Sequence, residues 1–312
     1  MLPVMSTFQR AVAAIGLQTL AGLVVWAIVA AVGLAFAEPA LGLTSLLLLF
    51  GQLVVVPLGL GLLRLDGGPA SLALVRGARF GWRLAALAAL VAVAIPPGAL
   101  SAAVAALWLV PALAVGLAAV LSLPVALRDP VRFAHAAAAG FLVVGALFFV
   151  LHRGGGDWAG VGPTIVQLTA VHFHVAGFGL ALVTAELVER RRRIGTAAIL
   201  LLVAGMALTA LGFLTVRPVQ AAGAVLVAVA LLVAAVGIAG LGHRIRSAAA
   251  RWLLRISCAS GFAVAGLALV YAITEAAGRP AIDIPTMAAT HGVLAALGVV
   301  GAGLIGWRVE GR

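Results

Sequence analysis

The 312-residue chain is 64% hydrophobic and only 9% charged, whereas soluble domains are about 25% charged and about 45–50% apolar. A soluble fold cannot hide this much apolar surface, so the composition excludes a soluble domain and predicts an all-α integral membrane protein. The formal net charge is +11 and every cation is an arginine. No motif that reads RNA or DNA accompanies the charge, so we expect no nucleic-acid partner.

The apolar runs predict a bundle of membrane-spanning helices. A bilayer core of about 30 Å needs about 20 apolar residues per helix. Pro96 and Pro97 in "AIPPGAL" indicate a turn between the third and fourth spans, since proline cannot donate a helical hydrogen bond. No linker is long enough to divide the chain, so residues 1–312 form a single membrane domain. The predicted spans are 11–36, 40–62, 81–97, 100–124, 131–151, 163–187, 195–214, 219–240, 251–274 and 284–307.

The segment "RLDGGPASLALVRGARFGW", residues 64–82, stands between the second and third of these spans. Its mixture of arginines and apolar residues predicts a short amphipathic element that lies along the inner membrane surface.

The arginines predict the orientation, because loops that carry Arg and Lys stay in the cytoplasm. With a cytoplasmic N-terminus, 17 of the 20 arginines fall on the cytoplasmic side, and only Arg153, Arg217 and Arg279 fall outside. One span more or fewer would break this alternation. We therefore expect both termini to be cytoplasmic, in a multi-pass protein of the bacterial cytoplasmic (inner) membrane.

Polar residues converge in the outer half of the predicted bundle, within the stretch "LTAVHFHVAGFG" and near it. At about 1.5 Å per residue, His172 and His174 lie roughly 15–18 Å below the outer boundary, and His291 lies roughly 10 Å below it. Glu275 ends the ninth span on the outer side, with Tyr271 one turn below it. Ionisable residues inside a membrane are costly, so these five are the candidate site residues.

The spacing of the two histidines restricts what they can do together. Positions i and i+2 of an α-helix are about 200° apart, so the two imidazoles cannot chelate one metal. Either they serve two neighbouring sites, or one faces a cavity while the other hydrogen-bonds to a neighbouring helix. A purely structural hydrogen bond between helices remains the alternative for each histidine. Gly177 and Gly179 remove side-chain bulk and favour close approach of a helix or a ligand.

Two stretches resemble the YndJ-like family of bacterial polytopic membrane proteins. They are "LTAVHFHVAGFGLAL" in the sixth span and "MAATHGVLAALGVVGAGLIGW" in the tenth. The resemblance implies a site around these histidines rather than a particular reaction. The tenth span departs from the family's "HGxLNAxGF" pattern, because Ala295 and Ala296 follow Leu294. This removes a polar side chain near His291.

A second, local resemblance concerns "AVHFHV", which is similar to the haem–copper oxidase helix whose His-x-His places two haem ligands on opposite faces. The rest of that site is missing, since this chain has no adjacent histidine pair for copper and too few deep histidines for two haems. The resemblance implies at most a single b-type haem, with His172 or His174 facing His291.

Three functions fit these observations. The leading interpretation is a cofactor-independent acid/base enzyme acting on a lipophilic, isoprenoid- or polyene-like substrate, such as a cyclase or isomerase. In it, Glu275 acts as acid and the imidazoles act as bases. The first alternative is a redox or sensor protein that binds haem b or a transition metal, since imidazole is a suitable ligand for iron and copper. The second is a transporter or an accessory membrane protein.

Overall fold

The computed structural model describes residues 15–36, 41–156, 158 and 160–311. The described residues leave out Arg10 and Arg312. They also leave out residues 11–14 and 40, with which the first two predicted spans begin. Within them the chain is helical, and the single β-bridge joins Trp158 to Val161. The predicted all-α class is confirmed.

Ten helices are long and apolar enough to cross a membrane, as the sequence predicts. They are α1 (Leu17–Phe36), α2 (Leu43–Leu62), α3 (Gly68–Ala94), α4 (Ala99–Ala126), α5 (Pro130–Gly154), α6 (Pro163–Arg190), α7 (Arg192–Leu214), α8 (Arg217–Ala239), α9 (Ala248–Ala276) and α10 (Ile284–Glu310).

The largest difference from the predicted spans concerns the third helix. The sequence predicts a span at 81–97 preceded by a separate surface element, but α3 runs without interruption from Gly68 to Ala94. The prediction of a separate element is wrong, because no residue between 68 and 82 breaks the helix. Pro96 and Pro97 do lie in a turn between α3 and α4, as expected.

Arginine ion pairs tie several helix ends together on one face of the bundle, here called the arginine-rich face. Arg64, just after α2, pairs with Glu186 and Glu189 of α6. Asp66 accepts from Arg132 of α5, and Asp129 before α5 accepts from Arg192 of α7. These pairs bring the end of α2, the start of α5, the end of α6 and the start of α7 to one face, as alternating spans require. Which face is cytoplasmic stays a prediction.

The centre of the bundle is formed by α2, α6 and α10, which contact one another although they are far apart in sequence. The other contacts are mainly between consecutive helices, as in α3–α4, α4–α5 and α7–α8. A Cβ atom on Gly179 of α6 would lie 2.4 Å from Cγ1 of Val300 in α10 and 2.9 Å from Cγ1 of Val55 in α2. The absence of a side chain at Gly179 therefore sets how closely the three central helices approach.

On the opposite face, a buried arginine holds the turn between α3 and α4. The Nε atom of Arg153 donates to Oγ of Ser101 at 2.8 Å, and its Nη2 atom donates to the carbonyl of Ile95. The amide of Gly98, which has a φ of 153°, donates to the carbonyl of Arg153 at 2.8 Å. One residue thus fixes the ends of α3, α4 and α5.

We expect Arg153→Ala to lower the thermal unfolding temperature of the purified protein. The substitution removes two charge-assisted hydrogen bonds, each worth about 1.5–3 kcal/mol in proteins. Arg217→Ala, at the exposed start of α8, is the matched control and should leave the unfolding temperature unchanged. Equal effects of the two substitutions would contradict the assignment.

Candidate functional site

All three histidines of the predicted site lie in or beside π-helical turns. The segment Phe173–Gly179 of α6 is π-helical and contains His174, and His172 directly precedes it. His291 lies in the π-helical segment Ala288–Gly292 of α10. A third such segment, Gly51–Val55, lies in α2. Because π-helical turns are rare and often occur at functional sites, their concentration in the three central helices supports a site here.

His172 of α6 and His291 of α10 face each other, with ring centres 6.4 Å apart and ring planes inclined at 31°. The Nδ1 atom of His172 is 2.7 Å from the carbonyl oxygen of Leu168, and Nδ1 of His291 is 3.2 Å from that of Val264. In a neutral imidazole, an Nδ1–H that donates to a carbonyl leaves Nε2 as the acceptor. Both rings therefore keep Nε2 available for a proton or a metal.

The separation of the His172 and His291 ring centres matches that of two imidazoles on opposite sides of a metal ion. If the two metal–nitrogen bonds, each about 2.0–2.1 Å long, point in opposite directions, the ring centres lie about 6.3 Å apart. If the angle between these bonds is tetrahedral, the ring centres lie about 5 Å apart. A backbone carbonyl on the other ring nitrogen is the usual outer partner of a metal-ligating histidine. Within the described part of the chain, no group of three or more His, Cys, Asp or Glu side chains is placed to hold a metal. The pair could therefore offer a metal two ligands at most.

His174 faces away from this pair and has both ring nitrogens occupied. Its Nε2 atom accepts from Nε1 of Trp108 in α4 at 2.9 Å, and its Nδ1 atom is 2.8 Å from the carbonyl oxygen of Ala170. The side chain is fully buried. The two histidines thus lie on opposite sides of α6, as the HxH spacing predicts, and His174 joins α6 to α4. Its predicted catalytic role has no support from these contacts.

Tight packing around His174 gives a testable stability prediction. A Cβ atom on Gly145 of α5 would lie 2.7 Å from Nδ1 of His174, whereas one on Gly140 of the same helix meets nothing within 4 Å. We expect Gly145→Ala to cost about 1–3 kcal/mol, because overpacking a core costs this much. Gly140→Ala should be neutral or slightly stabilising. Thermal unfolding of both variants tests this, and equal unfolding temperatures would contradict it.

Glu275 and Tyr271 lie on α9, above the His172–His291 pair. Counted from Val264, which contacts His291, they are displaced along α9 by about 16 Å and about 10 Å respectively. Spacings of 7 and 11 residues keep all three on one helix face. Among the residues that the structure describes, neither side chain hydrogen-bonds to an imidazole. The structure therefore brings together two of the five predicted residues, and the chemical roles of Glu275 and Tyr271 stay predictions.

A small cavity of about 50 Å³ adjoins His291, between α6, α8, α9 and α10. Its other lining residues are all Val, Ala or Leu, and Ala295 is one of them. The alanine that replaces the asparagine of the family pattern thus lies beside His291, as the sequence comparison suggests. Pockets for small organic molecules usually measure about 300–1,000 Å³, so this cavity is too small for a polyene without rearrangement.

Sequence reasoning missed two buried polar groups near the site. Trp108 fixes His174, and its ring centre is 4.0 Å from that of Trp82 in α3. The fully buried Gln52 lies in the π-helical turn of α2, and no described residue hydrogen-bonds to its amide. The sequence does signal Gln52, because a glutamine stands out inside one of the most apolar spans. Trp108 gave no signal, because tryptophan is common in membrane helices.

Comparisons with known proteins agree with the resemblance seen in the histidine stretches. The family model described as YndJ-like protein matches residues 46–299, which run from the first turn of α2 into α10 and leave out α1 and the last turns of α10. No curated protein and no solved structure matches the chain. The match covers well over half of the sequence, so the chain belongs to the YndJ-like family.

Proposed function

We propose that this membrane protein binds one b-type haem, whose iron His172 and His291 would hold. The observation that carries the proposal is the separation of 6.4 Å between the two ring centres. Each ring keeps Nε2 available because its Nδ1 atom is held by a backbone carbonyl. A haem needs only two ligands from the protein, which is the number that the described residues supply.

The surroundings of the pair also favour a haem over a bare Zn²⁺ ion. Zinc in proteins takes three or four side-chain ligands, whereas the porphyrin supplies four nitrogens of its own. The side chain of His172 is exposed and that of His291 is partly buried, so the porphyrin plane can approach from the side of the bundle.

The proposed role is electron transfer or redox sensing. Held by His172 and His291, the haem would supply one-electron transfer, and the protein would tune it through these two ligands and their surroundings. In this role the carbonyls of Leu168 and Val264 orient the two rings and increase the basicity of Nε2.

The acid/base enzyme that the sequence favours has less support. The acid Glu275 lies about three turns of α9 above the imidazoles. A cyclase or isomerase needs its acid and its base around one substrate. We therefore favour the haem site over the acid/base enzyme.

Copper(I) is the second candidate for the same pair. Two opposite imidazoles satisfy this ion without further ligands, and imidazole is among its suitable protein ligands. Copper(I) requires no space for a porphyrin, so the ion fits between the two imidazoles at the observed separation of their ring centres.

The test is to purify the full-length protein from membranes and measure its absorption spectrum and its metal content. A Soret band, with sharp visible bands after reduction and one haem per chain, is the expected result. Copper at one ion per chain without a Soret band would replace haem by the second candidate. A colourless protein that takes up neither hemin nor Cu(I) when titrated would overturn both.

A further inference from the structure

A second, larger cavity of about 410 Å³ lies between the ends of α1, α2, α3 and α10 on the arginine-rich face. This volume falls in the range of about 300–1,000 Å³ typical of ligand sites. On α10, Arg308 of the cavity lies about 25 Å along the helix from His291, and none of the lining residues belongs to the proposed haem site. Its polar lining side chains are Gln18, Thr19, Arg79 and Arg308.

Arg79 of α3 brings an uncompensated positive charge to this cavity. Its Nε and Nη2 atoms donate to the carbonyl of Leu60 at 3.1 and 2.5 Å. Leu60 lies in the last turn of α2, where carbonyls lack helical partners. A carbonyl fixes the guanidinium in place without neutralising it. Among the described residues, no Asp or Glu forms an ion pair with Arg79.

Arg308 of α10 brings a second guanidinium to the same cavity, next to Gly61 of α2. A Cβ atom on Gly61 would lie 1.8 Å from Nη1 of Arg308, so the guanidinium lies directly against the end of α2. Leu60 and Gly61 are adjacent, and they therefore place Arg79 and Arg308 at the same end of α2.

Gln18 adds a hydrogen-bond donor. When its amide oxygen is turned towards Arg83, it accepts from Nε at 2.9 Å and from Nη2 at 3.1 Å. This orientation leaves the amide NH₂ as a donor. Two guanidiniums and one amide donor form a set that suits the oxygens of an anion, and arginine is the preferred residue for phosphate.

The rest of the wall is apolar and adjoins the membrane. Leu17 is 82% exposed at the start of α1, and α1 is the least buried of the ten helices, so the cavity borders the bilayer. Pro57, Leu60 and the buried ring of Trp82 complete this apolar part. A basic pocket with an apolar side, at the end of a helix bundle, has the chemistry of an anionic lipid site.

We propose that this cavity binds the phosphate of an anionic phospholipid from the leaflet at the arginine-rich face. Arg79 and Arg308 contact the phosphate oxygens, Gln18 donates one further hydrogen bond, and Ile15, Leu17 and Pro57 pack against the glycerol and the upper acyl chains.

The test compares lipid binding by the full-length wild-type protein and by three variants, using native mass spectrometry in detergent with added lipid. Arg79→Gln and Arg308→Gln remove one charge each, and glutamine at 79 retains a donor for the carbonyl of Leu60. Arg76→Gln is the matched control, because Arg76 is exposed on the same helix one turn away and does not line the cavity. Unfolding temperature monitors folding of each variant, and Gln18→Leu provides a test that changes no charge.

We expect phosphatidylglycerol to bind more tightly than phosphatidylcholine, with a loss of about fivefold for each cavity arginine removed. Gln18→Leu should weaken binding to a smaller extent, and Arg76→Gln should have no effect. Equal binding of the two lipids, or an equal loss in Arg76→Gln, would overturn the proposal. Excess inorganic phosphate that stabilises the protein as well as phosphatidylglycerol does would identify a free phosphate site and overturn the lipid assignment.

Discussion

His172→Ala and His291→Ala are each expected to lower the haem content of the purified protein at least about tenfold. Loss of an outer partner of a metal ligand alone costs about 10–100-fold in affinity, and loss of the ligand itself costs at least as much. In the proposed site each of the two rings contributes one ligand, so removal of either ring leaves the metal with one protein ligand. Hemin titration followed at the Soret band measures the affinity of each variant.

Two histidine controls accompany this prediction. His243 is exposed near the arginine-rich ends of α8 and α9, and His243→Ala should bind haem like the wild type. His174→Ala should unfold at a lower temperature, because it loses its hydrogen bond with Trp108, but the folded fraction should still bind haem. Added imidazole should restore binding in His172→Ala, because that position is exposed. Haem binding that depends on His174 but not on His172 would contradict the site.

Gly179→Ala is expected to lower the free energy of unfolding by forcing the central helices apart. Its Cβ atom would lie 2.4 Å from Val300 and 2.9 Å from Val55, so α6 would have to move away from both other central helices. Overpacking of this kind costs about 1–3 kcal/mol, which corresponds to a decrease of roughly 3–10 °C in unfolding temperature. The movement also changes the distance between His172 and His291, so haem affinity should fall with stability.

Two further variants separate packing from a general effect of alanine. Gly266 of α9 has open space where its Cβ would be, so Gly266→Ala should be neutral. Val300→Ala in the Gly179→Ala background removes the closest atom and should recover part of the lost stability, as expected for residues in contact. If Gly179→Ala unfolds at the wild-type temperature, the close approach of the three helices is wrong.

The number and order of the spans followed from hydropathy because a bilayer imposes one length on every helix. The Pro96–Pro97 turn followed from backbone chemistry, and the opposite directions of His172 and His174 followed from helix geometry. The surface element at 64–82 was predicted wrongly, since its arginines suggested a break that the uninterrupted α3 does not have.

The partner of each histidine could not be predicted from the sequence. The sequence gives the depth of a residue in the membrane only to within about one helical turn. Within this range, either His172 or His174 could be the neighbour of His291. The choice is made by packing, because Trp108 of α4 takes Nε2 of His174 and leaves His172 to face α10. The π-helical turns that position these side chains have no signature in hydropathy.

Low-temperature EPR of the oxidised, hemin-loaded protein tests most directly whether His172 and His291 hold one iron from opposite sides. The wild type should give a low-spin ferric signal, since two imidazoles complete the coordination. His172→Ala and His291→Ala should each convert the haem that remains bound to the high-spin form. A wholly high-spin wild-type signal, or a low-spin signal that survives in either variant, would contradict the site.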